Sequence, residues 1–257
     1  HAGFVADIVD GKAEKVRLDI QEGARLIEGI LCGRNIYEAP QISARICGVC
    51  PVVHNLTSLK AIENALDIEL SSTSLLLRKL LMLGQLINSH TLHLFFFSLS
   101  DFFGLKEDLK LIKKYPKLTA DALLVRDFGN QIIEIIGGRS IHPINTTIGG
   151  FLKLPEKRKL ISLFKRISSV LKSGENLAKL FSSLKYPKYI RTALFVSLSQ
   201  KSTYAIYDGL INVSGEEKEA VNQFLKIVEQ YQLTGSPVKY SLYHGKPFMV
   251  GALSRLN

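Results

Sequence analysis

The stretch that decides how this chain is read is Arg45-Ile46-Cys47-Gly48-Val49-Cys50-Pro51-Val52-Val53-His54. Two cysteines three positions apart can turn both sulfurs toward one ion, and Gly48 lets the backbone bend between them. Pro51 suits the first turn of a helix, where its missing N–H has no intrahelical partner to lose. Leu56, Leu59, Ile62, Ala65 and Leu66 continue a helical stripe, which puts the cysteines at a helix N-terminus. The helix dipole there favours thiolate over thiol, and a cationic Arg45 beside the pair adds to the same effect. His54, four residues beyond Cys50, can reach back over one turn as ligand or hydrogen-bond donor. The segment reads as a metal-binding knuckle.

Upstream of it, residues 4–9 and 14–20 flank Asp10-Gly11, a dipeptide that accepts the positive φ angles of a tight turn, so a β-hairpin is predicted. Residues 22–32 read as a short helix ended by Gly33, and 35–46 as a loop or short turn. Downstream, residues 74–98 form one long helix, apolar on nearly all sides and therefore expected at the centre of a bundle. Residues 109–136 look helical apart from the Tyr115-Pro116 break, with Gly137-Gly138 ending them, and 142–150 read as a loop. After a basic helix, 186–203 are irregular or short-stranded, 216–231 helical and 238–245 a strand. The expected fold is mainly α with a small β part (α+β), a buried helix bundle with an N-terminal β-hairpin. The expected organisation is one incomplete domain over residues 1–257, with 1–46 as hairpin, short helix and loop, 47–150 as knuckle helix and bundle core, and 151–257 as basic helix and mixed segment.

A hydrophobic content of 46% is ample for such a core. The longest apolar stretches are broken by Arg78, Lys79, Asn88, His90 and His93, short of the roughly 18–20 uninterrupted residues that a membrane span needs, so no span is expected. No signal-like segment or twin-arginine pair opens the chain at His1. Three cysteines make a poor disulfide framework and suit a reducing compartment, which points to a cytoplasmic location. The net charge of +10 is local, since residues 153–191 hold eleven basic residues against Glu156 and Glu175. Leu160, Leu163, Phe164, Ile167, Val170, Leu171, Leu177, Ala178 and Phe181 recur there at helical spacing, which leaves the basic side chains a solvated face. No recognition motif accompanies that charge, so no nucleic-acid partner is expected.

Chemistry alone leaves several readings open. Cys32, Cys47, Cys50 and His54 are four donors, the complement of a structural zinc site in a non-enzymatic module. A bare C-x-x-C can also be a redox pair, although no thioredoxin-like βαβ pattern surrounds it. His90 and His93 can bind metal together or rest in the core as hydrogen-bonded histidines.

The knuckle segment closely resembles the first cysteine motif of nickel-iron hydrogenase large subunits, and the resemblance continues along the chain in the same order. Glu22-Gly23-Ala24-Arg25-Leu26-Ile27-Glu28, then Gly33-Arg34, is similar to the family's stretch before the knuckle. Ser89-His90-Thr91-Leu92-His93 with Asp101-Phe102 resembles its histidine-rich central helix. Gly137-Gly138-Arg139-Ser140-Ile141-His142-Pro143 through Gly149-Gly150 resembles a further signature, and Val250-Gly251-Ala252-Leu253-Ser254-Arg255-Leu256-Asn257 a segment past mid-chain.

Carried over residue by residue, the resemblance implies that Cys47 is a terminal nickel ligand and that Cys50 bridges nickel and iron, in a centre that also carries diatomic ligands. His54 would hydrogen-bond a bridging sulfur without ligating the metal. Glu28 stands where the family places a carboxylate ligand to a magnesium ion, Arg45 would help fix the knuckle, and His142 would lie toward the partner small subunit and its nearest iron-sulfur cluster. The implied enzyme oxidises dihydrogen reversibly to protons and electrons, which leave through that partner's clusters.

Departures from the family are equally legible. The family draws nickel's other two sulfurs from a second C-x-x-C near its C-terminus, and no cysteine follows Cys50 here. His1 looks like the last residue of an E-G-H triplet. A partial sequence, a split subunit whose other half is a separate polypeptide, or a metal-free scaffold in an electron-transfer complex would each explain this. Retention of Cys47, Cys50, His54 and Arg45 together favours the first two. Ser89, where membrane-bound uptake enzymes carry an aspartate, and the Cys50-Pro51 step lean toward the cytosolic, cofactor-coupled branch.

Overall fold

The computed structural model describes residues 2–20, 27–190, 192–216, 218–232 and 239–256. Two compact units make up the chain, one running Ile27–Lys188 and the other joining His1–Leu26 to Tyr189–Asn257. The helix predicted over 22–32 is described only as α1 (Ile27–Leu31), because its first part, including Glu22 and Arg25, lies outside the described residues.

The first unit is helical. α2 (Ala39–Ala44) leads into the knuckle, so the stretch read as loop or turn over 35–46 contains a helix, opened by Pro40 in its first turn. α3 (Pro51–Ala65) follows Cys50 directly. α4 (Ser72–Thr91) starts where the Ser71 side chain accepts the Ser74 N–H. It then widens into a π-helical turn over Leu92–Ser98, next to Thr91, whose hydroxyl takes the Ile87 carbonyl, before closing with α5 (Leu99–Phe102). α6 (Asp108–Lys114), α7 (Pro116–Gly137) and α8 (Lys157–Ser183) complete the unit, with the short strands β3 (Thr146–Thr147) and β4 (Gly150–Phe151) inside the predicted loop.

α4 and α7 touch at glycine. A Cβ on Gly129 would stand 2.7 Å from the Asn88 backbone nitrogen and 2.8 Å from the Gly84 carbonyl oxygen, so only glycine permits this approach. Around that crossing the core closes through Leu56, Leu59, Leu81, Ile133 and Ile136, all buried. A second cluster of Phe95, Leu99, Leu111, Ala122 and Leu177 anchors the far end.

The expectation that α4 is covered on all sides does not hold, since Leu76, Leu83, Leu94 and Phe97 lie exposed along one face of the rod. His90 and His93 share that exposure and are not core histidines. By length and composition Ser72–Phe102, which holds an 18-residue window of mean hydropathy 1.2, matches a membrane-crossing helix. Its packing on α7 and its buried Arg78 are instead features of a core helix. In α8 the buried seam is Leu163, Val170 and Leu177 at seven-residue spacing, which leaves Phe164 and Leu171, predicted on the buried face, open to solvent.

The second unit is built of strands. β1 (Ala2–Val9) pairs antiparallel with β2 (Lys12–Ile20), and Asp10 and Gly11 take φ of 50° and 74°, as the predicted hairpin requires. β5 (Leu194–Ser199) runs antiparallel to β6 (Leu210–Val213) and parallel to β9 (Phe248–Met249). Residues 216–231, predicted helical, fold as a 3₁₀ turn (Val221–Gln223), a single turn α9 (Phe224–Ile227) and β7 (Val228–Gln232). Pairing with β8 (Lys239–Tyr243) overrides helical spacing there, because it buries Val228 and stacks Tyr231 on Tyr240 with ring centroids 5.4 Å apart.

Helices α3 and α4 are joined by a buried ion pair. Arg78 donates from Nη1 and Nη2 to the two carboxylate oxygens of Glu63, each at 2.6 Å, and from Nη2 to the Thr147 carbonyl at 2.9 Å. Glu63 also accepts the Gly149 N–H at 2.8 Å. Removing one partner strands a charge out of water. Glu63→Ala is therefore expected to lower the unfolding free energy of the full-length protein by about 3–5 kcal/mol in urea titration; a loss below about 1 kcal/mol, the range of an exposed pair, would contradict this arrangement.

Candidate metal centre

Cys50 is the residue before the first turn of α3, and its backbone N–H points back at the Cys47 sulfur, 3.2 Å away. On the other side, the Cys50 sulfur lies 3.5 Å from His54 Nε2, as the four-residue spacing predicted. The ligand atoms of Cys47, Cys50 and His54 all lie within 4.8 Å of one another, in half-buried positions. Neither cysteine is in a disulfide. Two sulfurs and an imidazole converging on one small volume fit a soft first-row metal and leave coordination positions open for ligands from elsewhere.

The bend that produces this convergence is held from α4. Gln85, 2% exposed, donates Nε2–H to the Val49 carbonyl at 2.6 Å and accepts the Val52 N–H on Oε1 at 3.3 Å. One carboxamide thus grips the backbone between the cysteines and the first turn of α3. A second tie runs through Asn55, which donates to the Pro40 carbonyl at 3.0 Å and accepts the Thr146 hydroxyl at 2.7 Å. Ser43 adds a hydroxyl bond to the His54 carbonyl at 3.3 Å. Sequence reasoning missed Gln85 and Asn55. Their signal was a carboxamide inside an otherwise apolar helical stripe, where an amide must find partners.

Other residues singled out from the sequence fall around this group. Arg45 ends α2 and turns along it, donating Nη1–H to the Gln41 carbonyl at 3.0 Å; with Arg34 it lines a hollow of about 640 Å³. His142, at φ 55°, places Nδ1 3.0 Å from the Ala44 carbonyl. A carbonyl can only accept, so Nδ1 carries the proton and a neutral ring keeps Nε2 as its acceptor. Glu28 is exposed on α1, and Cys32 is exposed just beyond it. Among the described residues neither joins the converging group, so the zinc reading lacks its fourth donor.

The electrostatics differ from the sequence expectation of an easily formed thiolate pair. The Cys50 thiol is pushed up from 9.0 to about 11, first by burial, then by its hydrogen bond with Cys47 and by the charge on that sulfur; a backbone hydrogen bond opposes this only in part. Arg45 does not offset it, because its guanidinium is directed along α2. A cation entering the site must displace the Cys50 proton.

A family model described as nickel-dependent hydrogenase matches residues 25–121. The alpha chain of sulfhydrogenase 2 from Pyrococcus furiosus is 34% identical over 254 residues, which cover 97% of this chain and 58% of that protein. A vhu chain of the F420-non-reducing hydrogenase from Methanocaldococcus jannaschii is 30% identical over 272 residues, covering 96% and 65%. An NAD+-reducing [NiFe]-hydrogenase, solved in its H2-reduced state, superposes with a TM-score of 0.89 at 25% identity over 99% of this chain and 62% of that one. The chain thus spans about three fifths of the length of the relatives it matches.

In the metal-free protein, alkylation of Cys50 by iodoacetamide is expected to stay slow below pH 9 and to rise as pH passes through about 11. Because the folded pKa lies above the unfolded 9.0, the associated stability is complete below pH 9 and is lost as pH rises through about 11. A Cys50 that already alkylates at its limiting rate at pH 8 would contradict this picture.

Proposed function

The chain belongs to the nickel-dependent hydrogenase family, and from that premise we propose that Cys47 and Cys50 hold one side of a nickel-iron centre at which the assembled enzyme interconverts dihydrogen with protons and electrons. The observation that carries this reading is the convergence of two sulfurs, neither in a disulfide, beside an imidazole at the start of α3. When bound, the centre supplies the Lewis acidity and redox capacity for heterolytic splitting of dihydrogen. Cys47 and Cys50 would hold the centre through their sulfurs, Cys47 on nickel and Cys50 on both metals. The remaining two thiolates come from a second cysteine pair outside these 257 residues.

The chain's own groups set the properties of these sulfurs. The Cys50 N–H donates to the Cys47 sulfur, and His54 with its proton on Nε2 would donate to the Cys50 sulfur, so each sulfur would share its charge with one protein donor. A cysteine sulfur of the site would be the base that holds the proton. Buried Val52, Leu56 and Leu59 at the start of α3 keep the interior side of the knuckle dry. Arg45 steadies the turn before the knuckle through Gln41. Glu28 would supply a carboxylate to a magnesium ion, and His142, bonded to the Ala44 carbonyl, would lie toward a small subunit whose iron-sulfur clusters carry the electrons away. The assembly is a cytoplasmic, cofactor-coupled hydrogenase.

The test uses the native complex purified without oxygen. Cys47→Ser and Cys50→Ser are each expected to remove nickel and reduce hydrogen-dependent dye reduction to background. His54→Leu should keep nickel but lose about 10–100-fold in rate, and Cys32→Ser should change neither. Wild-type complex that carries zinc instead of nickel, or a Cys47→Ser complex with full nickel and activity, would overturn the proposal.

A further inference from the structure

We propose that Gln85 is a positioning residue that sets the spacing of Cys47 and Cys50, through its two hydrogen bonds to the backbone on either side of Cys50. The inference rests on the nickel-iron reading for its consequence but on geometry alone for its content. Gln85 lies thirty-six residues from Val49, and its side chain is the contact by which α4 grips the inter-cysteine backbone. Its donor end takes the carbonyl of Val49, the residue just before Cys50; its acceptor end takes the N–H of Val52, two residues after it. Both bonds together hold the Val49–Cys50 and Pro51–Val52 peptide planes on either side of Cys50, and hence constrain the direction of its Cα–Cβ bond. The amide is almost wholly removed from water and Val52 is fully buried, so the Val52 N–H has no solvent partner to replace Oε1, while the Val49 carbonyl is held at the exposed edge of the knuckle. Gln85 does not reach a sulfur itself. Its effect is on the angle at which two ligands meet one ion, to which metal sites respond as they do to loss of a partner outside the ligand sphere.

Two variants separate this from a packing role. Gln85→Met keeps the volume and removes both bonds, whereas Gln85→Glu keeps the acceptor for Val52 and removes only the donor to Val49. In the anaerobic native complex from cells grown at limiting nickel, both are expected to lower nickel content about 10-fold and to shift the g-values of the nickel electron paramagnetic resonance signal. Isosteric loss of packing alone would leave those g-values unchanged. Phenylarsine oxide gives a readout independent of nickel: its arsenic bonds both thiols of the nickel-free full-length protein, forming two As–S bonds and releasing its oxygen as water with the two thiol protons. Its affinity should fall about 10-fold in both variants, as expected when the spacing of two ligands is lost. Wild-type nickel content, g-values and arsenical affinity in Gln85→Met, or in Gln85→Glu should Gln85→Met not fold, would overturn the inference. A wild-type complex without nickel would instead refute the proposed function, leaving the arsenical comparison to decide on Gln85.

Discussion

Two sulfurs share an ion only if the few atoms of backbone between them are held in one bend, and everything else in the helical unit serves that condition. In water such a bend would be one of many, because each fixed residue loses about 1–2 kcal/mol of conformational freedom. Here the bend rests on α4 at its Cys50–Val52 end, where leaving the buried Val52 N–H unpartnered would itself be unfavourable. The carboxamide of Gln85 satisfies both that N–H and the Val49 carbonyl, and so selects the conformation in which Cys47 and Cys50 face the same volume.

That role places demands on α4. A helix can position an amide to within a hydrogen-bond length only if the helix itself does not slide, and α4 is fixed twice along its length. Near its start, Arg78 is locked to Glu63 of α3 and to the Thr147 carbonyl. Near its middle, Gly84 meets Gly129 of α7 at backbone contact, where no side chain leaves room for rotation. Gln85 is the next residue. The metal knuckle is therefore referenced to a rigid crossing of two long helices rather than to a loop, which is how a soft ligand pair is kept in one geometry.

Much of this was legible in the sequence, and the reasons are local. Pro51 after Cys50, the His54 spacing and the Asp10-Gly11 turn act within a few residues, so the helix start, the sulfur–imidazole contact and the hairpin could all be read directly. What failed depends on partners distant in the chain. Residues 216–231 have helical spacing, but Tyr240 and its neighbours on β8 draw them into a strand. The thiolate character expected of Cys50 ignored the combined effect of partial burial and of the neighbouring Cys47 sulfur on its proton. Gln85 looked like a polar interruption of an apolar helix, and its meaning lies in a segment thirty-six residues earlier.

On the proposed reading the chain contributes one face of a metal pocket and the frame that keeps this face still, while the metals would supply the reactivity. Nickel K-edge X-ray absorption on the native complex, purified without oxygen, tests this most directly. A nickel first shell dominated by sulfur, with sulfur scattering lost when Cys47 is replaced, is what these ligands require. A shell of nitrogen and oxygen atoms alone, unchanged by that replacement, would contradict it.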